Sequence, residues 1–562
     1  MVDSVTLEVI RNALAAVCEE MNATLVRTGY SPNIKERRDC SCALFDADGE
    51  MISQAENMPV HLGAMPFSVA AAVDRFPPET LQPGDAVLLN DPYRGGAHLP
   101  DLTLVTPVFA GGELVAFAAN RAHHADVGGA HAGSVAADST EIYQEGLRLP
   151  PVKLFEAGDP NEAVFDIILA NVRTPDERRG DLRAQEAANE TGRERFAELV
   201  ESYGRETVRV ALAEIKDYSE RRMRAEIDEL PDGTCEFADV LESDGRGTED
   251  LPVRAAVTID GDEVGVDFEG TAPQTAGPIN AVFAVTASAT YYAVRCVTDP
   301  DIPPNEGCYR PVTIEAPEGT IVNPEPPAAV VGGNLETSQR VTDVVLGAFG
   351  RAVPERVTAA GQGTMNNVTF GGTDPRDGEP YAFYETQGGG FGGRAGRDGM
   401  DGVHVHMSNT MNTPVEVLET AYPLRVVRYA LREDSGGPGE FRGGLGLRRD
   451  IEVRDHETTL SLLAERHRTT PYGLAGGETG ASGGAVLNPD GEADPLPSKT
   501  TRTLPAGTVV SVRTPGGGGY GDPENRDPAA VRRDLELGKV SSATAREVYG
   551  VDAEAADDAG DD

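Results

Sequence analysis

The chain has 562 residues, 39% of them hydrophobic. This is longer than a chain that folds around a single hydrophobic core, so the length predicts two to four domains. The formal net charge is −43, and lysine occurs only five times, so arginine supplies nearly all of the positive charge. An acidic, lysine-poor surface excludes a basic nucleic-acid-binding patch and is typical of proteins that stay soluble in high salt, so we expect a halophilic origin.

The first part of the chain predicts a helix followed by a hairpin. Apolar residues at helical spacing predict a helix over residues 5–27, which ends at Gly29. An alternating segment around Cys42 runs into an Asp-Ala-Asp-Gly turn and resumes at Met51, which predicts a β-hairpin with Asp39 just before its first strand. The start of the chain lacks the features of a signal peptide, and no 18-residue apolar run occurs, so we expect a cytoplasmic protein without a membrane span.

Further along the chain, residues 64–76 look helical, and two strands joined by an Ala-Gly-Gly-Glu turn are predicted at 102–109 and 114–119. The fold class that follows is α+β, a multidomain mixture of helix and sheet with a β-rich, glycine-dense C-terminal half. The predicted regions are an N-terminal α/β metal-site region (1–160), a helical region (161–230), a β-rich α+β region (231–330), a glycine-rich β-dominated region (331–520) and a helical appendage with an acidic tail (521–562).

Residues 98–126 hold the most informative cluster, with three of the nine histidines of the chain. The start of one antiparallel strand lies beside the end of its partner, so the sequence separation of Asp101 and His123 should collapse to contact distance. Two imidazoles and a carboxylate are a common ligand set for a divalent metal, and we expect His98, Asp101 and His123 to bind one. A hydrogen-bonded cluster that only orders the loops is the alternative that the residues leave open.

Other motifs give weaker signals. Asp39 also stands at a strand end and is a candidate fourth ligand, while His124 and Asp126 are candidate supporting groups. His61 lies between apolar residues and is interpreted as a core or supporting residue. None of the glycine blocks matches a phosphate-binding loop, and we interpret them as tight turns in which backbone packs against backbone. The sequence therefore predicts no nucleotide site on this chain.

Long motifs spread over residues 3–521 resemble the hydantoinase B family. The matching segments include VTLEVIRNAL, YSPNIKERRDCSCALFD, LNDPYRGGAHLPDLTLVTPVF, NRAHHADVGG, GGNLETSQR, HMSNTMNTPVE and TPGGGGYG. This family includes N-methylhydantoinase B, the C-terminal part of 5-oxoprolinase, and related acetone carboxylase and caprolactamase subunits. The resemblance implies the hydantoinase B-type component of an ATP-dependent amidohydrolase that acts on cyclic amides.

The resemblance also implies a hetero-oligomer with a hydantoinase A-type subunit, which binds ATP and phosphorylates a small cyclic amide such as hydantoin, 5-oxoproline or a lactam. This chain would then open the ring with metal-bound water, the metal being Zn, Mn, Fe or Mg. The metal ligands implied are Asp39, His98, Asp101 and His123. The groups expected to orient the water or to move protons are His124, Asp126 and Asp91.

Two alternatives stay open for the function. An acetone-carboxylase-like subunit would use the metal in a carboxylation that depends on bicarbonate. A non-catalytic scaffold subunit would only close the site of its partner. Stoichiometric metal in the purified protein would favour catalysis over the scaffold.

Overall fold

The computed structural model describes residues 2–55 and 57–552, so the predicted acidic tail from residue 553 onward lies outside the described residues. The α-helices are α1 (Ser4–Thr28), α2 (Pro32–Lys35), α3 (Pro59–Leu62), α4 (Met65–Arg75), α5 (Glu162–Ala170), α6 (Pro175–Tyr203), α7 (Arg205–Asp228), α8 (Phe283–Val297), α9 (Ser338–Ala352), α10 (Val415–Ala421), α11 (Pro528–Glu536) and α12 (Ser542–Glu547). The predicted helices over 5–27 and 64–76 are confirmed, and α5, α6 and α7 lie within residues 161–230. No described helix is long and apolar enough to cross a membrane.

A seven-stranded antiparallel sheet carries the predicted metal ligands. Its strands are β1 (Cys40–Asp46), β2 (Met51–Gln54), β3 (Ala86–Leu89), β4 (Asp101–Ala110), β5 (Glu113–His123), β6 (Val152–Glu156) and β7 (Asp159–Pro160). They lie side by side in the order β2-β1-β5-β4-β3-β6-β7. The predicted hairpin is β1 and β2, and the two predicted strands are β4 and β5, each longer than the sequence indicated.

The two faces of this sheet belong to different cores, because successive residues of a strand point to opposite sides. Along β5, Ala118 and Ala122 pack against α1, α6 and α7. Phe117 and Ala119 pack against α4 on the other side. The same alternation sends His123 toward the α4 side and the next residue toward α6.

A second sheet and two buried helices lie against the same region. The strands are β8 (Gly233–Ser243), β9 (Glu249–Asp260), β10 (Glu263–Asp267) and β11 (Val312–Glu315), with β10 and β11 parallel. Helices α8 and α9 share one large core with this sheet, and that core runs from Met58 to Leu463. It crosses the predicted boundaries at 160, 230 and 330, so the division into regions stays a prediction. A π-helical turn, Gly333–Thr337, leads directly into α9.

The C-terminal half contains two further sheets. Their strands are β12 (Asn367–Thr373), β13 (Pro380–Glu385), β14 (Leu424–Leu431), β15 (Leu447–Val453), β16 (Thr458–Leu463), β17 (Gly484–Leu487), β18 (Asp494–Leu496), β19 (Lys499–Leu504) and β20 (Val509–Arg513). The orders are β13-β12-β16-β19 and β14-β15-β20-β17-β18. The α+β class with a β-rich C-terminal half is confirmed.

The glycine blocks pair with one another outside these strands. The Gly517 amide donates to the Gly444 carbonyl at 2.9 Å, and the Gly393 amide donates to the Gly518 carbonyl at 2.8 Å. A Cβ built on Gly517 would lie 2.1 Å from the Phe391 carbonyl oxygen, so only glycine permits this approach. The expected packing of backbone on backbone is confirmed, although these segments form a hydrogen-bonded bundle rather than isolated tight turns.

Candidate metal centre

The register of the sheet brings two of the predicted ligands together. Asp101 is the first residue of β4 and pairs directly with His123, the last residue of β5. His98 precedes β4 by a short turn, in which the Asp101 amide donates to the His98 carbonyl at 3.2 Å. The predicted convergence of strand start and strand end is therefore confirmed. All three residues are at most 2% exposed.

The three candidate ligand atoms lie at a spacing that suits a bound metal. His98 Nε2 is 2.9 Å from Asp101 Oδ1, His123 Nδ1 is 3.0 Å from the same oxygen, and the two nitrogens are 3.2 Å apart. A metal about 2.1 Å from each ligand places neighbouring ligand atoms about 3.0–3.4 Å apart in octahedral or tetrahedral geometry. These residues fit a divalent metal, and they form a candidate metal-binding group.

A main-chain carbonyl sets the orientation of the His98 ring. His98 Nδ1 lies 3.2 Å from the Val331 carbonyl oxygen, in the segment just before the π-helical turn. A carbonyl oxygen can only accept, so Nδ1 carries a proton, and Nε2 is the ring nitrogen that faces Asp101 and His123. Nε2 is thus the atom of His98 that is placed to bind a metal.

The His123 ring packs against the aromatic ring of Tyr384. Tyr384 stacks on it at 4.5 Å between ring centroids, and the Arg37 guanidinium lies 5.0 Å from the Tyr384 ring. The carbonyl of His123 accepts a hydrogen bond from Asn33 Nδ2 at 2.6 Å. Burial is the main cause that lowers the pKa of His123, despite the nearby Asp101, which raises it. The ring is therefore neutral at neutral pH, the form that binds metals.

Asp101 is the electrostatic centre of the group. Burial opposes its ionisation, but His98, His61 and the hydrogen bond from His123 outweigh burial and hold its pKa well below the ordinary value. Its second oxygen, Oδ2, faces His61 Nε2 at 3.3 Å and Asn334 Nδ2 at 3.4 Å. The negative charge of the Asp101 carboxylate is therefore surrounded by imidazoles and an amide.

Asp39, the predicted fourth ligand, stands at the edge of this group. Its Oδ1 is 3.8 Å from His61 Nε2, and its Oδ2 is 3.8 Å from the Arg37 guanidinium. Its main-chain carbonyl accepts the amide of His123 at 3.0 Å, so it borders the ligand strand. His61 lies between the carboxylates of Asp39 and Asp101. The direct ligation of a metal by Asp39 stays a prediction.

The three groups predicted for proton transfer make their contacts elsewhere. His124 Nε2 pairs with Gln185 Oε1 at 2.9 Å on the α6 side of the sheet, and burial lowers its pKa to about 4. Asp126 accepts from the amides of a glycine loop and from Arg173 at 2.9 Å. Asp91 accepts from the Tyr93 amide at 3.1 Å, and burial raises its pKa. None of the three side chains makes a hydrogen bond or ion pair with the ligand group within residues 2–55 and 57–552.

Three residues of the site carried no clear signal in the sequence. The position of His61 between apolar residues favours a core or supporting role, and no pattern marks Asn334 or Tyr384 as site residues. Asn334 lies within GGNLETSQR, a motif that marked the family resemblance without indicating chemistry. Each reaches the site from a segment far away in sequence, so spacing could not reveal it.

The fold and this buried pair of histidines with a carboxylate define a candidate metal-dependent enzyme component of mixed α+β architecture. The family described as hydantoinase B/oxoprolinase matches residues 3–523. The chain belongs to that family.

Curated relatives and solved structures agree with this assignment. The chain is 40% identical to 5-oxoprolinase 1 of Arabidopsis thaliana. The matched region covers 92% of this chain and 42% of that protein. It is 36% identical to the B component of a putative D-/L-hydantoinase from a Pseudomonas species, covering 98% of this chain and 95% of that one. The crystal structure of the ATP-dependent caprolactamase from Pseudomonas jessenii matches with a TM-score of 0.92 and 34% identity, over 98% of this chain and 97% of that one.

A nucleotide-free structure of acetone carboxylase shares the fold. Its TM-score is 0.89 at 21% identity, over 98% of this chain and 79% of that one. At this identity the likeness concerns the fold and does not extend to the reaction.

Proposed function

We propose that this chain is the hydantoinase B-type component of an ATP-dependent cyclic amide hydrolase and opens the ring of a phosphorylated hydantoin, 5-oxoproline or lactam. The observation that carries the proposal is the buried group of His98, Asp101 and His123, in a member of the hydantoinase B/oxoprolinase family. Relatives named as a component of a hydantoinase and as an ATP-dependent caprolactamase support it. A separate hydantoinase A-type subunit would hold the ATP.

The residues of this chain have distinct roles in the proposal. When bound, a divalent metal such as Zn, Mn, Fe or Mg supplies Lewis-acid polarisation of an oxygen and a lowered pKa for water. Asp101 contributes negative charge to the ligand group, and the Val331 carbonyl orients the His98 ring. Tyr384 covers one face of His123 and keeps bulk water from that side. His61 can hold a proton between two carboxylates.

His124, Asp126 and Asp91 remain the proposed proton-transfer groups, but their contacts point to positioning. The Asp126 carboxylate ties the loop after β5 to Arg173, so it fixes the strand end that bears His123. His124 anchors the same strand end to α6 through Gln185. His124 and Asp126 would therefore also fix the position of His123.

The test is His123→Ala, assayed in complex with the ATP-binding partner protein. We expect loss of stoichiometric metal and of ring opening, with circular dichroism unchanged, because one of the three ligand atoms is removed. The control is His131→Ala, since His131 pairs with Asp138 at the surface and contacts none of the ligands. A His123→Ala protein that retains metal and full turnover would refute the proposal. Product formation that requires bicarbonate would favour the carboxylase alternative.

A further inference from the structure

A cavity of about 380 Å³ lies between α8, α9 and the glycine-rich segment 391–400. Its lining includes Tyr292 of α8, Arg394 and Arg397 of the glycine-rich segment, and His406. None of the proposed metal ligands belongs to the lining. A volume of this size is typical of sites that bind small molecules. The cavity is therefore a candidate binding site separate from the metal centre.

His406 contributes a strained and buried polar side chain to this cavity. The residue is 4% exposed, and its backbone φ is +48°, in the left-handed region that side chains other than glycine rarely adopt. Within residues 2–55 and 57–552, His406 Nε2 has no hydrogen-bond partner. Backbone strain and an unpaired buried nitrogen both cost free energy, and such strain is frequent at binding sites. Both features point to a ligand at His406.

The neighbours of the His406 ring indicate which nitrogen carries the proton. The Tyr292 hydroxyl lies 3.5 Å from Nδ1, and Asp343 Oδ1 lies 3.9 Å from Nε2. Burial lowers the pKa of His406 although Asp343 raises it, so the ring is neutral at neutral pH. A carboxylate can only accept, whereas a hydroxyl can donate to Nδ1, and this arrangement favours the proton on Nε2. A distance of 3.9 Å is too long for a hydrogen bond, so the Nε2 proton can be donated to a ligand.

Two arginines add positive charge to the same cavity. Two main-chain hydrogen bonds of 3.0 Å hold Arg394 and Arg397 beside each other, and both residues are exposed. Neither guanidinium makes an ion pair with any residue that the structure describes. Both can therefore donate to a bound anion.

The other charged residues of the lining do not cancel this positive charge. Arg356 pairs with Glu226 at 3.6 Å, and Asp398 pairs with Arg526 at 2.7 Å. Glu355 lines the cavity without an ion pair to another described residue, so one carboxylate stands against two guanidinium groups. The chain as a whole has a net charge of −43, which disfavours anions elsewhere on its surface. An excess of positive charge beside an imidazole N–H suits an anion.

We propose that this cavity binds a phosphate group, either as inorganic phosphate or as part of a small phosphate ester. Guanidinium groups match the geometry of phosphate oxygens. Three donor groups on separate residues suit the several oxygens of a phosphate better than the two oxygens of a carboxylate. The inference goes beyond the proposed function, because phosphate binding at this cavity does not require ring opening at the metal centre.

The experiment is a calorimetric titration of the full chain, stripped of metal, with inorganic phosphate at fixed ionic strength. We expect one phosphate to bind per chain. AMP and acetate are titrated in parallel. AMP that binds more tightly than inorganic phosphate would identify a phosphate ester as the ligand, and weaker binding of AMP would identify free phosphate. Acetate should bind about tenfold more weakly than phosphate or worse, because it offers fewer oxygens to the three donor groups.

Variants assign the binding to this cavity. Arg394→Gln combined with Arg397→Gln should weaken phosphate binding about tenfold or more, because two charged donors are lost. His406→Asn should also weaken it about tenfold, since asparagine tolerates the left-handed backbone but shortens the donor. Glu355→Gln should strengthen binding about twofold or more, because a like charge is removed. The control is Arg428→Gln in β14, an exposed arginine that makes no ion pair with a described residue and does not line the cavity. The control should change the affinity less than twofold.

Other results would overturn the inference. A chain that shows no saturable binding of phosphate or AMP would leave the cavity to water. Phosphate binding that the double arginine variant leaves unchanged would place the anion elsewhere, and acetate that binds as tightly as phosphate would refute the phosphate chemistry. Arg394 and Arg397 are exposed, so their replacement decides the matter even where His406→Asn does not fold. Loss of ring opening in His123→Ala with phosphate binding retained would show that the two sites stand or fall separately.

Discussion

Asp101→Asn provides the sharpest test of the metal centre. The change keeps the size of the side chain but removes the negative charge of the ligand group, since a metal-binding imidazole is neutral. In the structure the Asp101 carboxylate serves four partners, with His98 and His123 on one oxygen and His61 and Asn334 on the other. Asp101→Asn therefore removes the negative charge that these four partners surround.

The magnitude follows from the position of Asp101. Loss of a partner that only supports a ligand weakens metal binding about 10–100-fold. Asp101 Oδ1 is itself one of the three proposed ligand atoms, at 2.9 and 3.0 Å from the two nitrogens. We therefore expect a loss of more than about 100-fold, which corresponds to more than about 2.7 kcal/mol.

The assay is calorimetric titration of the metal-free protein with Mn²⁺ or Zn²⁺, supported by elemental analysis. The matched control is Asp85→Asn, because Asp85 is 2% exposed and pairs with Lys153 at 2.7 Å on the same sheet, away from the ligands. The control should keep the affinity of the natural chain. Unchanged affinity and one metal per chain in Asp101→Asn would show that the histidine–carboxylate group only orders loops.

Three further predictions follow from the structure. Asp39→Asn should weaken metal binding about tenfold or more if Asp39 is a ligand, and an unchanged titration would limit Asp39 to its contacts with His61. Gly517→Ala should destabilise the fold by about 3 kcal/mol or more, because its Cβ meets the Phe391 carbonyl at 2.1 Å. The Cβ added by Gly484→Ala meets nothing within 4 Å, so this control should leave the stability unchanged. Equal denaturation midpoints for Gly517→Ala and Gly484→Ala would contradict the close packing of the glycine segments. Burial lowers the pKa of His124 to about 4 from its ordinary 6.5, so below pH 6.5 the unfolded chain binds a proton that the folded chain does not. The free energy of unfolding should then decrease as the pH falls, by about 2 kcal/mol between pH 7 and pH 5 in the natural chain and by less in His124→Gln. Urea titrations at the two pH values measure both decreases. An equal decrease in the two proteins would refute this prediction.

The sequence alone determined the parts of the site that depend on local rules. An Ala-Gly-Gly-Glu turn between two alternating segments specifies an antiparallel hairpin, and the hairpin pairs Asp101 with His123. His98 is only three residues from Asp101, so the turn before β4 keeps it close. The glycine blocks likewise indicated close backbone packing, because glycine alone tolerates it. These features needed no knowledge of distant segments.

Strand length decided the position of His124. The sequence predicted a strand that ended at residue 119, which left the directions of His123 and His124 undefined. In the structure β5 continues to His123, so alternation places the two rings on opposite faces, and only His123 faces Asp101. Hydrogen bonds to the neighbouring strand extend β5, and such pairing is not visible in the composition of one segment.

Tertiary packing alone brought in the remaining groups. His61 arrives on α3, Asn334 on the π-helical turn and Tyr384 on β13, so they meet Asp101 and His123 only after three separate segments have packed together. Side chains that converge from distant segments leave no periodic pattern, because their spacing in sequence is not constrained by their distance in space. The sequence therefore determined which residues are candidate metal ligands, and the packed fold decided which groups surround them.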